Sequence, residues 1–498
     1  MNEEYCKIKE IGKGSYGTVY TILMSNGNIK ALKVLNDTKN QGLSSLIEID
    51  ITRRLRHPNL ISTTKIIKKD NTFSLVMPKA ETDLNNYLNE VKLSVELKLK
   101  LFFDIVSGVK FLHDNRILHL DLKPDNILIF ITDNDIKAVV ADLSLALYTD
   151  FKGNRIFNRE KVTANYRAPE ILLSPTYYTP YVDIWSLGLI LLKILCNGNK
   201  LFMDTDINNI NTPNGVKQYR KKIMKLLHDQ IRLETITTYL TLNGIDYNKV
   251  LLDLLYNMLS LNNKERPLTD KIITNELFSH LQYHSGIVKQ PKIITTNQIN
   301  INYYRVFDIL FRLAYIMNVN VETVFLTSDL FQRSVHLLSS SQQDFNYLFL
   351  LMLSCYWIAI KLLEYITITA SQIVDTANNI FTEHELKQTE QSIILNLDGI
   401  IYRDNLFTLS YCRHQLLDSF EFLRNIRLYT VLDLSKWSCP YSHCHHENEQ
   451  FSTFFPDTQY YKYFQSNGVI FTSSLDKFNL YNTDVTLIEA LFNNEHSN

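Results

Sequence analysis

The sequence predicts an α+β chain of two unlike parts: a bilobal domain with a strand-rich first lobe and a larger helical lobe, then a separate all-α domain. Three observations predict it. Apolar residues alternate from Tyr5 to about Thr72, with one helical stretch over about 44–56. From Leu84 to about Leu281 they recur every three or four positions, as in LKLKLFFDIVSGVKFLH and VDIWSLGLILLKIL. A helical pattern then resumes from Tyr303 to about Phe407, after the non-periodic segment SGIVKQPKIITTNQ that holds Gly286 and Pro291. The boundaries on this reading are 1–284 for the bilobal domain, 285–298 for a linker, 299–408 for the helical domain and 409–498 for an extension resembling a degenerate second helical domain.

At 498 residues the chain is too long for one core. A net charge of −1 gives no electrostatic case for nucleic acid or an anionic membrane as partner. Six scattered cysteines (Cys6, Cys196, Cys355, Cys412, Cys439, Cys444) do not form a secreted disulfide framework, so an intracellular site, cytoplasm or nucleus, is expected. The opening MNEEYCKIKE lacks the basic start and apolar core of a signal peptide. The run YLFLLMLSCYWIAI at 347–360 is shorter than the roughly 20 apolar residues a bilayer needs and reads as a buried core helix. Heavy use of Asn, Ile, Tyr and Lys fits an AT-rich genome, such as that of a protist or of a large DNA virus acting in its host cell.

Gly12, Gly14 and Gly17, in GKGSYGTVY, follow the first apolar strand, where absent side chains let the backbone close over a polyphosphate. Alone the pattern is weak. Lys33 lies in the strand-like IKALKVL and Glu48 on the next helix, placed to hold the lysine against phosphates; taken singly, either is an ordinary surface residue. HLDLKPDN at 119–126, ADLSLA around Asp142 and NYRAPEI around Glu170 remove that alternative. Asp121 supplies a carboxylate to orient a hydroxyl and take its proton, Lys123 a cation for a transferring phosphate, and Asn126 with Asp142 a magnesium pair, all in the order that phosphoryl transfer needs.

These motifs resemble the eukaryotic protein kinase family over residues 4 to about 282, supported by HPN at 57–59, DIWSLG at 183–188 and KERP, whose Arg266 pairs in that family with the glutamate matching Glu170. The resemblance implies a bilobal protein kinase fold with ATP and Mg2+ as cofactors and proteins as substrates. It implies ATP contacts from Ile11, Gly12, Gly14, Gly17, Val19, Lys33, the gatekeeper Met77, backbone at Pro78 and Ala80, and Asp83 toward the ribose. KPDN after Asp121 is similar to the serine/threonine branch, and GKGSYGTVY, VTxxYRAPEILL and YVDIWSLG most resemble cyclin-dependent kinases. Ser15 and Tyr16 match that family's inhibitory phosphorylation sites and read equally as ordinary loop residues.

Departures cluster. Leu120 replaces the arginine before the catalytic aspartate, and DLS replaces DFG, so that Leu143 stands for a phenylalanine and Ser144 for a glycine, which should restrict backbone flipping. The three arginines that grip a phosphorylated activation loop are Ile47, Leu120 and Leu147 here, and the phosphoacceptor aligns with Asn158. Activation without loop phosphorylation is expected, with apolar packing joining the loop to the helix of Glu48. Val162, Thr163 and Arg167 resemble a proline-directed substrate segment, from which Lys161 and Asn165 depart.

In the second part, VETVFLTSDLFQRSV, LLMLSCYWIAIKLLE and FTEHELKQTEQSIILNLDGIIY resemble a cyclin box. Lys361 and Glu390 match the pair that faces the kinase in cyclins, implying contact with the helix of Glu48, within one chain or between two; Gln332, Leu363 and Tyr303, with Arg305 nearby, depart from the pattern. A nucleotide-binding scaffold without turnover, recruiting partners through the helical domain, is the competing function class. The cluster CPYSHCHH at 439–446, with Cys412 and His414, lacks paired C-x-x-C spacing and reads as a polar loop before a zinc site; Trp437 is assigned to the extension.

Overall fold

The computed structural model describes residues 5–402 except 15, 37–41, 70–71, 150–154, 157–165, 174–176, 200–212, 229–230, 290–305, 307–308, 311–312, 315–316, 318, 320, 336–343 and 365–367. Expectations for Ser15, Asn158, Lys161, Val162, Thr163, Asn165, Tyr303, Arg305, Cys412, His414, Trp437 and the 439–446 cluster lie outside the described residues, as does the whole of 409–498.

In chain order, β1 (Tyr5–Gly14), β2 (Gly17–Met24) and β3 (Ile29–Leu35) lead to α1 (Leu43–Arg54), which runs into the short β4 (Leu55–Arg56) and then β5 (Lys65–Lys69) and β6 (Thr72–Met77). These make an antiparallel five-stranded sheet in the order β1-β2-β3-β6-β5. Its register pairs Gly12 with Val19, Val19 with Lys33, Lys33 with Leu75 and Ala31 with Met77. Directly opposed residues share a face, so Val19, Lys33 and Met77 all project from one side, while Ile22, Leu32 and Val76 form a small core on the other.

The second lobe opens with β7 (Thr82–Asp83), α2 (Leu84–Glu90) and α3 (Val95–Asp114). Ser94 caps α3 by accepting the Leu97 N–H at 3.2 Å. There follow β8 (Ile117–Leu118), β9 (Ile127–Thr132), β10 (Asp135–Val140), β11 (Leu147–Tyr148) and β12 (Arg155–Ile156), then α4 (Pro169–Leu173), β13 (Tyr177–Tyr178), α5 (Tyr181–Leu195), α6 (Pro213–Leu226), α7 (Arg232–Leu242), α8 (Lys249–Met258) and α9 (Thr269–Ile273). Strands β8 to β13 fall in a region whose periodicity reads as helical: ILIFIT and DIKAVV are short apolar runs that do not distinguish strand from helix. Within the stretch expected as linker, β14 (Ile287–Val288) pairs antiparallel with β4, so the chain leaving the second lobe returns to the strand that follows α1.

The helical domain contains α10 (Val321–Val335), α11 (Phe345–Leu363), α12 (Ala370–Thr376) and α13 (Glu383–Asn396), preceded by helical, buried Val306, Ile309, Leu310, Leu313 and Ala314. Capping boxes start α12 (Thr369 with Gln372) and α13 (Thr382 with Glu385). Helix α11 is long and apolar enough to cross a membrane, yet it is enclosed as the core of this domain, as its sequence predicts. The architecture is thus α+β, strand-rich then helical, followed by an all-helical domain that packs through α11 against α1 and β11.

His57 pins the exit path. Its Nε2 donates to the His284 carbonyl at 2.8 Å, its Nδ1 accepts the Asn59 N–H at 3.0 Å, and its ring stacks on Phe111. Burial first, with help from the neighbouring His284 and Lys137 and against the hydrogen bond to the His284 carbonyl, pushes the imidazole down to about 4 from its ordinary 6.5, so the folded chain holds it neutral. The unfolded chain binds that proton as pH falls through 6.5, so the stability this ring contributes is present at neutral pH and drains away down to about pH 4. The urea-midpoint gap between wild type and His57→Asn should therefore narrow from pH 7 to pH 4; a constant gap would contradict the assignment.

Candidate active site

Lys33 is brought to the interlobe cleft by β3 and meets two carboxylates. Its Nζ lies 2.6 Å and 2.7 Å from the two Glu48 oxygens and 2.8 Å from Asp142 Oδ1. Burial works against the ammonium, but Asp142 and Glu48 outweigh it and hold Lys33 protonated. Asp142 is the converse: burial favours its acid form, yet Lys33 keeps the carboxyl well below its usual range. For Glu48 burial exceeds the pull of Lys33 and pushes the carboxyl up. Ser144, the glycine position of the family pattern, sits at negative φ and donates a hydrogen bond to Asp142, so this loop accepts a serine without strain.

The second cluster stands on the loop between β8 and β9. Lys123 Nζ is 2.7 Å from Asp121 Oδ2, and Asn126 Nδ2 donates to the Asp121 carbonyl at 2.7 Å and to Oδ2 at 2.8 Å. The Ala141 N–H donates to the Asn126 carbonyl at 2.9 Å, which sets Asp142 beside Asn126. Leu120 carries φ 66 and Asp142 φ 57, both in the left-handed region that an L side chain adopts only when held there. The buried Asp183 does the holding for Leu120: its two oxygens accept the N–H groups of His119 and Leu120, each at 2.9 Å. His119 completes the loop by donating from Nε2 to the Ala141 carbonyl and accepting the Asp121 N–H at Nδ1.

Around the cleft, β1 and β2 pair as an antiparallel hairpin, with Gly14 opposite Gly17. A Cβ on Gly17 would come within 2.5 Å of the Val34 carbonyl oxygen, so close packing on β3 requires that glycine, whereas a Cβ on Gly12 or Gly14 would meet nothing nearer than 3.9 Å, an ordinary contact. Ile11 is exposed at the mouth, Val19 and Met77 line the sheet face, and Pro78 and Ala80 follow β6. Asp83, expected near a ribose, caps α2 by accepting the Asn86 N–H at 2.8 Å. Arg266 grips Glu170 with two parallel bonds of 2.7 Å and 2.9 Å, as expected. Burial lowers Arg167 to about 10, beside Asp121 and Tyr16.

Ile47 and Leu147, two of the three positions where the family pattern has an arginine, are buried in one core cluster, and Leu120 packs against it. Lys361 and Glu390, expected to face α1, form an ion pair with each other that joins α11 to α13. The described polar contacts between the two domains run through residues that sequence reasoning left without a role: Arg53 with Asp398, Asp50 with the N–H groups of Ile401 and Tyr402, and Arg116 with Glu322 and Tyr402. Charged residues on a helix expected between two lobes and a second domain were the signal available for Asp50 and Arg53.

The cleft therefore offers a carboxylate beside a lysine, a second lysine held by an ion pair, a hairpin whose Gly17 packs directly on β3, and an amide and a partly exposed carboxylate side by side that suit a divalent cation. The family model for the protein kinase domain matches residues 5–278, more than half of the chain, and that for the cyclin N-terminal domain matches residues 273–401. The chain belongs to the protein kinase family, and its kinase domain continues in the same polypeptide into a cyclin domain.

Proposed function

We propose that this protein is a serine/threonine kinase similar to the cyclin-dependent kinases, active without activation-loop phosphorylation and activated by its own cyclin domain. The observation that carries catalysis is the pairing of Lys33 with both Glu48 and Asp142 while Asp121, Lys123 and Asn126 are hydrogen-bonded into one loop. Lys33 and the N–H groups of the glycine hairpin hold the phosphates, and the backbone after Met77 receives the adenine. Asn126 and Asp142 would hold magnesium, whose charge would offset that of the phosphates. Asp121 orients the substrate hydroxyl and accepts its proton, and Lys123 steadies the transferred oxygens. The lysine two positions beyond Asp121 supports serine/threonine specificity.

Activation by the second domain is supported by how closely it seats on α1. Gly399, at φ 71, lies so near the kinase domain that a Cβ there would meet Ile66 Cδ1 at 2.4 Å, Ile49 Cγ2 at 2.8 Å and Arg53 Cγ at 3.1 Å. Apolar side chains at Ile47, Leu120 and Leu147 leave a loop phosphate without its usual arginines.

Asp121→Asn should lower phosphate transfer to a randomised Ser/Thr peptide library by about 10²–10⁴-fold with ATP-analogue binding retained; unchanged turnover would make the chain a scaffold. Gly399→Asn tolerates the positive φ but wedges the interface. A cost of about 1–3 kcal/mol predicts activity lower by about 5- to 150-fold with both domains folded, and wild-type activity would remove the cyclin domain as activator. Phosphatase treatment of the active chain should leave its rate unchanged, and a large loss would return control to a phosphate.

A further inference from the structure

Asp50 is fully buried on α1, two positions beyond Glu48 and roughly 200° around the helix from it. One oxygen accepts two N–H groups from the cyclin domain, Ile401 at 2.7 Å and Tyr402 at 2.9 Å. The other accepts the hydroxyl of Tyr148 and, at 3.2 Å, Arg54 Nε. Tyr148 lies six positions after Asp142, at the start of the activation segment, and its hydroxyl also accepts from Arg54 Nη2 at 3.1 Å.

The cyclin domain reaches into this cluster from two directions. Tyr402 stacks on Tyr148 with ring centres 4.8 Å apart and donates its hydroxyl to Glu322 at 2.7 Å; Arg116 of the kinase domain bonds both. Behind the segment, Arg333 donates to the carbonyls of Ile400 and Ile401. The peptide at 400–402 is thereby bracketed by a cyclin-domain arginine on its carbonyls and a kinase-domain aspartate on its N–H groups.

We propose that Asp50 and Tyr148 are positioning residues that couple docking of the cyclin domain to the placement of Glu48 and of the segment after Asp142. The proposal rests on the reading that this domain activates the kinase. Docking delivers two backbone donors to Asp50, which fixes α1 and orients the Tyr148 hydroxyl. Tyr148 then holds the activation segment against α1, where related kinases use a phosphate gripped by arginines.

The test uses the full-length chain with ATP and a randomised Ser/Thr peptide library. Tyr148→Phe keeps the ring stack and the volume but removes the hydroxyl bridge, and Asp50→Asn keeps an acceptor for the Ile401 and Tyr402 N–H groups while replacing the one that Tyr148 and Arg54 use. Each should lower kcat by roughly ten-fold, with a smaller change in KM for the peptides and a folded thermal transition. Combined with Gly399→Asn, Tyr148→Phe should cause little additional loss, because both act on one coupling. A normal rate in both Tyr148→Phe and Asp50→Asn, beside an impaired Gly399→Asn, overturns the junction and leaves the fused activator standing. A wild-type rate in Gly399→Asn overturns the fused activator itself. Losses that multiply in the double variant place Tyr148 inside the kinase domain alone and also overturn the coupling.

Discussion

Helix α1 is enclosed on every side, and it carries five polar or charged residues in its buried run from Glu48 to Arg54. A charge removed from water is tolerated only where partners meet it. Those partners come from different parts of the chain. Lys33 on the sheet meets Glu48; the carbonyls of Thr63 and Thr64 and residue Asp398 meet Arg53; Tyr148 and the cyclin-domain backbone meet Asp50; and Asp50 with Tyr148 meets Arg54. The helix has few other low-energy places to sit, because moving it to satisfy one neighbour leaves another buried charge unmet.

Much of the catalytic cleft was legible in the sequence because its residues are tied to backbone features that a pattern records. Lys33 and Val19 are strand residues whose register follows from alternation, and Asp121 to Asn126 lie within one short loop. The interface was less legible. Asp50 is met by backbone N–H groups some 350 positions away, and a backbone donor has no residue signature. Gly399 closes the end of α13, its N–H reaching the Ile394 carbonyl, and only the packed structure shows Ile49 and Ile66 against it. The Lys361–Glu390 pair was found by resemblance, and the structure joins the two to each other, with the Lys361 ammonium also over the Trp357 ring. β9 and β10 were hidden for a different reason, since a run of six apolar-rich residues is compatible with either local structure.

Loss of the arginine before Asp121 does not dismantle the loop, because the left-handed Leu120 is held through its backbone. Asp183, kept ionised against its own burial mainly by His113, accepts both N–H groups at that turn. The arginine side chain is dispensable to this geometry, and its place is free for an apolar contact. Ser144 illustrates the same economy at Asp142, where a hydroxyl donor stands in for a flexible glycine.

A phosphate on the loop would bring about −1.5 to −2 charges, which arginines must neutralise. The junction around Tyr148 needs no such countercharge. Asp50 is balanced by Arg54 and Glu322 by Arg116, while burial and then the Asp50 charge push the Tyr148 phenol far above its ordinary range, so it stays a neutral donor. Of these two pairs only Arg116–Glu322 crosses between the domains, and together with the two N–H groups that the cyclin domain gives Asp50 it makes the junction depend on both. On the proposed reading the activating signal is then contact itself. A covalent tether that keeps the local concentration of the cyclin domain near the millimolar range makes that contact the resting condition of the chain, and any control must act by loosening it.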